Sequence, residues 1–96
     1  MQIPRLSQKE ALILGMLTSR GEMYGLEMVK ASEGELKRGT VYVTLGRMAE
    51  KGYVESREID ALEGGSPRRV FRATGHGARV LRAWELAGAA MAWEVG

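Results

Sequence analysis

Lys37-Arg38-Gly39-Thr40-Val41-Tyr42-Val43-Thr44-Leu45-Gly46-Arg47-Met48-Ala49-Glu50-Lys51-Gly52-Tyr53-Val54-Glu55-Ser56-Arg57-Glu58-Ile59 changes its period at Gly52. Before that glycine, Val41, Leu45 and Met48 recur at helical spacing, which predicts a helix over 37–51 that closes at Gly52. After it, Tyr53 to Ile59 carries aromatic and β-branched residues among polar ones, as a strand does. Further downstream, Gly64-Gly65-Ser66-Pro67 is turn-rich and Arg68-Arg69-Val70-Phe71-Arg72-Ala73 supplies a second strand, so a hairpin with a long tip is expected.

Upstream, Ser7-Gln8-Lys9-Glu10 has the form of a capping box, and Leu12, Ile13, Met16 and Leu17 follow at helical spacing up to Gly21. A short second helix fits residues 24–32, with Leu26 and Val29, before Ser32-Glu33-Gly34 breaks the pattern. At the other end Thr74 can cap a fourth helix through Val80, Leu81, Trp84, Ala87 and Met91. The predicted fold class is mainly α with a small β-hairpin. Three helices followed by a hairpin is the order of a winged helix-turn-helix, expected over residues 1–74, with a dimerisation helix over 75–96 in one compact domain.

A chain of 96 residues has room for one domain with a marginal core, so oligomerisation is expected. With 45% hydrophobic and 27% charged residues it has an ordinary globular composition. There is no cysteine, which removes disulfides, thiolate zinc sites and a cysteine nucleophile, and fits a cytoplasmic protein. Arg5, Lys9 and Glu10 interrupt the amino terminus, and no apolar run approaches the roughly 20 residues of a membrane span. The parts of an enzyme are also missing: no phosphate-binding glycine loop, no G-x-S-x-G elbow and no paired-histidine motif is present. His76 is the single histidine and has no metal-ligand spacing around it, so no cofactor and no metal are expected.

The net charge of +2 is small, but Arg68, Arg69, Arg72, Arg79 and Arg82 fall in a stretch without a single Asp or Glu. In a winged helix the third helix enters the major groove and the hairpin lies beside the duplex backbone. Lys37, Arg38, Thr40 and Tyr42 at the start of that helix are donors suited to phosphate oxygens. Arg68 and Arg69 follow Pro67 at the base of the wing and complete the candidate DNA contact. Tyr42 equally suits packing against the second helix, and Arg47 and Lys51 have Glu50 and Glu55 near enough to pair with, so those two basic residues stay outside the site. On the fourth helix, Val80, Leu81, Trp84, Ala87, Gly88 and Met91 form an apolar stripe with small residues, the candidate homodimer interface.

The chain resembles the PadR-like transcriptional regulators. The residues that carry the likeness are Tyr24-Gly25, Gly39-Thr40-Val41-Tyr42, Leu45-Gly46-Arg47-Met48 with Lys51-Gly52-Tyr53-Val54, and Pro67-Arg68-Arg69-Val70-Phe71-Arg72-Ala73-Thr74 with Gly77. The resemblance implies a winged-helix dimer on double-stranded DNA, with Tyr42 and the wing arginines near the duplex and the fourth helix between subunits. It also implies a repressor on a palindromic operator and a small apolar effector near Trp84. The competing reading is a winged-helix module that contacts another protein, since one fold serves both roles.

Overall fold

The computed structural model describes residues 5–60, 65 and 67–95, with side chains placed through residue 88. The first helix, α1 (Gln8–Arg20), starts as the sequence predicts: the Ser7 hydroxyl accepts from the Glu10 N–H at 3.1 Å, and the Glu10 carboxylate accepts from the Ser7 N–H at 2.9 Å. Gly21, at φ 84°, ends it in a conformation that suits glycine. The next two residues form a short strand, β1 (Met23–Tyr24), which the sequence does not announce because two residues have no period.

Helix α2 (Gly25–Ala31) begins directly after β1, and the Glu27 carboxylate accepts from the Tyr24 N–H at 2.8 Å. The turn after it is held by one buried hydroxyl. Ser32 Oγ donates to the Val29 carbonyl at 2.8 Å and accepts from the Leu36 N–H at 2.9 Å, which fixes Leu36 in the core. Helix α3 (Arg38–Glu50) follows, then β2 (Val54–Ile59), β3 (Arg68–Ala73) and α4 (Gly75–Val95).

The expected hairpin is therefore two strands of a three-stranded antiparallel sheet in the order β1-β3-β2. Val54 pairs with Ala73 and Ile59 with Arg68 across the hairpin, while Met23 pairs with Phe71 and Tyr24 with Val70 on the other edge. The third strand anchors the base of the wing to the helices, which a hairpin alone would lack. Ile13, Leu14, Met28, Leu36, Val41, Leu45 and Met48 are fully buried and form the centre of the core, closed by Val54 and Phe71 from the sheet and Leu81 from α4.

The junction of the wing with α4 is tightly built. The Thr74 hydroxyl accepts from the Gly77 N–H at 3.0 Å as an N-cap and donates to the Gly52 carbonyl at 2.6 Å. The Thr74 N–H reaches the Tyr53 carbonyl at 3.0 Å. Gly77 lies so close to the same carbonyl that an added Cβ would sit 2.1 Å from its oxygen. These contacts set the direction in which α4 leaves the body.

Candidate nucleic-acid interface

Lys37 is the N-cap of α3, with extended backbone and no side-chain hydrogen bond to the first turn. The first-turn N–H groups therefore keep their donor capacity and the positive end of the helix dipole. Lys37 and Arg38 are exposed beside them and Thr40 is half-buried. No acidic residue occupies this turn.

One helical turn further, the Tyr42 ring lies across the start of α2. A Cβ built at Gly25 would sit 2.7 Å from Tyr42 Cε1 and 2.9 Å from its hydroxyl, so the missing side chain of Gly25 makes the seat for this ring. Tyr42 nonetheless remains 46% exposed. Packing on α2 and reaching outward, which the sequence left as alternatives, hold together in one side chain. Tyr42 borders an open groove of about 440 Å³ whose other walls are Tyr24, Leu26, Glu27, Lys30, Pro67, Arg68 and Arg69, so that one carboxylate stands among three cations. Arg68 stacks over the Tyr24 ring, its Cζ 5.5 Å from the centroid. The groove thus joins Tyr42 of α3 to both wing arginines, while Lys37, Arg38 and Thr40 stand at the start of α3 outside it.

The acid-free run of arginines is not acid-free in space. Strand β2 sets Glu58 opposite Arg69 and Glu55 opposite Arg72. Arg69 lies 3.6 Å from the Glu58 carboxylate and donates to Ser56 Oγ at 3.0 Å, and Arg72 is ion-paired with Glu55. Arg57 grips Glu22 through two hydrogen bonds of 2.8 and 2.9 Å, which hold the Glu22 carboxyl below its ordinary pKa. Among the described residues Arg68 has no carboxylate partner, which makes it the more available of the two candidate wing arginines.

The family model of the transcriptional regulator PadR-like family matches residues 13–83. The chain belongs to the PadR-like family. A PadR family transcriptional regulator from Eggerthella lenta is 31% identical, with a TM-score of 0.79 over 92% of this chain and 78% of that one. Another, from Clostridium difficile, is 26% identical, with a TM-score of 0.73 over 94% of this chain and 100% of that one. Bacillus subtilis PadR in complex with operator DNA shares the fold at 20% identity and a TM-score of 0.73, over 81% of this chain and 46% of its own. No curated protein sequence matches. The family is one of transcription regulators, not enzymes.

Elsewhere the PadR-like chain departs from its sequence reading in instructive ways. Lys51 pairs with Glu10 of α1 at 3.0 Å, not with Glu50 or Glu55. Burial alone would raise the Glu10 carboxyl, but the hydrogen bond from the Ser7 N–H and the charged bond from Lys51 outweigh it and hold the pKa below its ordinary value. His76 packs its ring against Tyr53, centroids 5.4 Å apart, and among the described residues no group of metal-ligating side chains occurs. The stripe on α4 divides into a part that the chain covers and a part that it does not. Val80 and Leu81 are 8% and 7% exposed within a single chain, and Trp84 packs against the same core. Its first two turns therefore face the chain's own body, where α4 crosses α1. Gly88 is exposed, Ala87 half-buried, and the side chain of Met91 lies outside the described residues. Among the described residues no helix is long and apolar enough to cross a membrane.

Proposed function

We propose that this regulator binds double-stranded DNA sequence-specifically as a homodimer and acts in the cytoplasm as a repressor on a palindromic operator. The observation that carries the reading is the groove in which Tyr42 of α3 meets Arg68 of the wing, beside an α3 terminus with free donors and two cations. A duplex laid along α3 would meet cations from both directions, as in other winged helices. The DNA-bound state of the Bacillus subtilis relative supports the same use of this fold.

In this division of labour residues 1–74 contact DNA through Lys37, Arg38, Thr40, Tyr42, Arg68 and Arg69, and residues 75–96 pair the subunits. Pairing falls to the part of α4 beyond Trp84, where Gly88 is exposed and Ala87 half-buried, with Met91 next in the apolar spacing of the sequence. A small apolar effector would bind beside Trp84, between the subunits, and quenching of tryptophan fluorescence by planar aromatic compounds would report it.

Selection of bound sequences from random duplex DNA tests the reading. The expected product is an inverted repeat whose half-sites are centred about 10 base pairs apart or a multiple of that, because two copies of α3 must enter grooves about 34 Å apart. Failure to enrich any sequence would contradict it and favour a protein-contact module.

A further inference from the structure

The outward face of α3 carries a side chain that phosphate contacts do not use. Val43 is 58% exposed, midway along a helix whose other apolar anchors, Val41, Leu45 and Met48, are fully buried. It therefore does not support the fold. One turn away on either side along the same face stand Gly39 and Gly46, and a Cβ built at either would meet nothing within 4 Å. Neither glycine is required by packing or by its backbone, since neither has a positive φ. Valine and glycine are both poorer helix formers than the alanine, lysine or glutamate that a merely solvated face would favour. Exposed Arg38 and Arg47 flank the stretch, with exposed Glu50 one turn past Gly46 at the far end of the face from the cationic, acid-free start of the helix, so it is the amino-terminal part of this face that suits a polyanion.

We propose that Val43 is a specificity-determining contact that packs its methyl groups on the C5-methyl of a thymine in each half-site. This rests on the DNA-binding reading above and deepens it. The thymine methyl is the one apolar group on the base edges of the major groove, and valine, having neither donor nor acceptor, discriminates bases only through such a contact. The bare backbone at Gly39 and Gly46 lets the helix approach closely enough for a side chain as short as valine to reach. Phosphate contacts at the start of α3 and on the wing fix the register but carry no base information, which leaves this face of α3 to supply it.

The test uses the selected duplex and replaces each thymine by deoxyuridine, which removes the methyl and keeps the base pair. One symmetry-related pair of thymines is expected to matter, with affinity of the full-length protein falling about fourfold per methyl, or about sixteenfold for the pair. Val43→Ala is expected to bind the thymine duplex about sixteenfold more weakly and to ignore the same deoxyuridine replacement, with an unchanged or higher melting temperature because the site is exposed. Specific binding that responds to no deoxyuridine, or a Val43→Ala protein that keeps the full response, would overturn the proposal and leave DNA binding standing. Absence of specific binding by the unaltered protein would remove both.

Discussion

A Cβ at Gly25 meets the tip of a tyrosine ring, whereas a Cβ at Gly77 meets a backbone carbonyl. The ring is half-exposed and can swing away; the carbonyl is fixed by the Thr74 N–H at 3.0 Å. Gly25→Ala should therefore leave the urea midpoint nearly unchanged but displace Tyr42 and weaken DNA binding about as much as Tyr42→Phe. Gly77→Ala should lower stability by about 3 kcal/mol, since backbone must shift to admit the methyl. Thr74→Ala, which removes an N-cap and the bond to Gly52, should cost about 1 kcal/mol in the same measurement. The wing arginines separate in the same way. Arg69 is engaged by Glu58 and Ser56 and Arg68 only by the Tyr24 ring, so Arg68→Ala should weaken binding more than Arg69→Ala in a duplex titration. Equal losses would mean that the wing contact does not depend on which guanidinium is already engaged.

At the scale of elements, the bond between the start of α1 and the end of α3 gives the fold a dependence on acid. The Glu10 carboxyl is held below its ordinary value of 4.5, so its ionised form stabilises the native state above that pH. This contribution is lost as pH falls from 4.5 through the lower folded-state value. Glu10→Gln keeps the capping geometry at Ser7 but loses the carboxylate charge that pairs with Lys51, and should lower stability at neutral pH by about 1 kcal/mol. Its denaturation midpoint should also fall less than that of the unaltered protein on acidification, and an identical fall would remove Glu10 from the account. This pair was not legible in the sequence, because a partner 41 positions away leaves no local pattern while Glu50 and Glu55 offer themselves nearby. The helices were legible, since Ser7-Gln8-Lys9-Glu10, Gly21, Gly52 and Thr74 are end signals whose chemistry is local. Strand β1 was hidden by its length, and the neutralisation of Arg69 and Arg72 lay in the hairpin register, which the alternation of Glu55, Arg57 and Glu58 in β2 could have suggested. Tyr24 and Lys30 were missed as groove residues for the same reason, since only the docking of β3 against β1 brings them to Arg68.

At the scale of the whole molecule, the proposed symmetric site would need two reading helices, which one chain does not supply. The apolar spacing of α4 in the sequence runs on from Val80 to Met91 without dividing the part that covers α1 from the part left over. Gly88 marks the uncovered part, being exposed with nothing within 4 Å of an added Cβ. Gly88→Glu should leave a folded chain with normal helicity yet shift sedimentation from dimer to monomer at micromolar concentration, and operator affinity should fall with it. A variant that stays dimeric would move the interface away from this stretch. The central claim, that the face formed by α3 and the wing holds DNA, is tested most directly by the salt dependence of affinity for the selected duplex. A dimer that neutralises roughly six phosphates should lose about a thousandfold in affinity between about 50 and 200 mM salt, and the slope should be shallower by about two for Arg68→Ala, one contact per subunit. An affinity that barely responds to salt, or a slope that Arg68→Ala leaves unchanged, would contradict it.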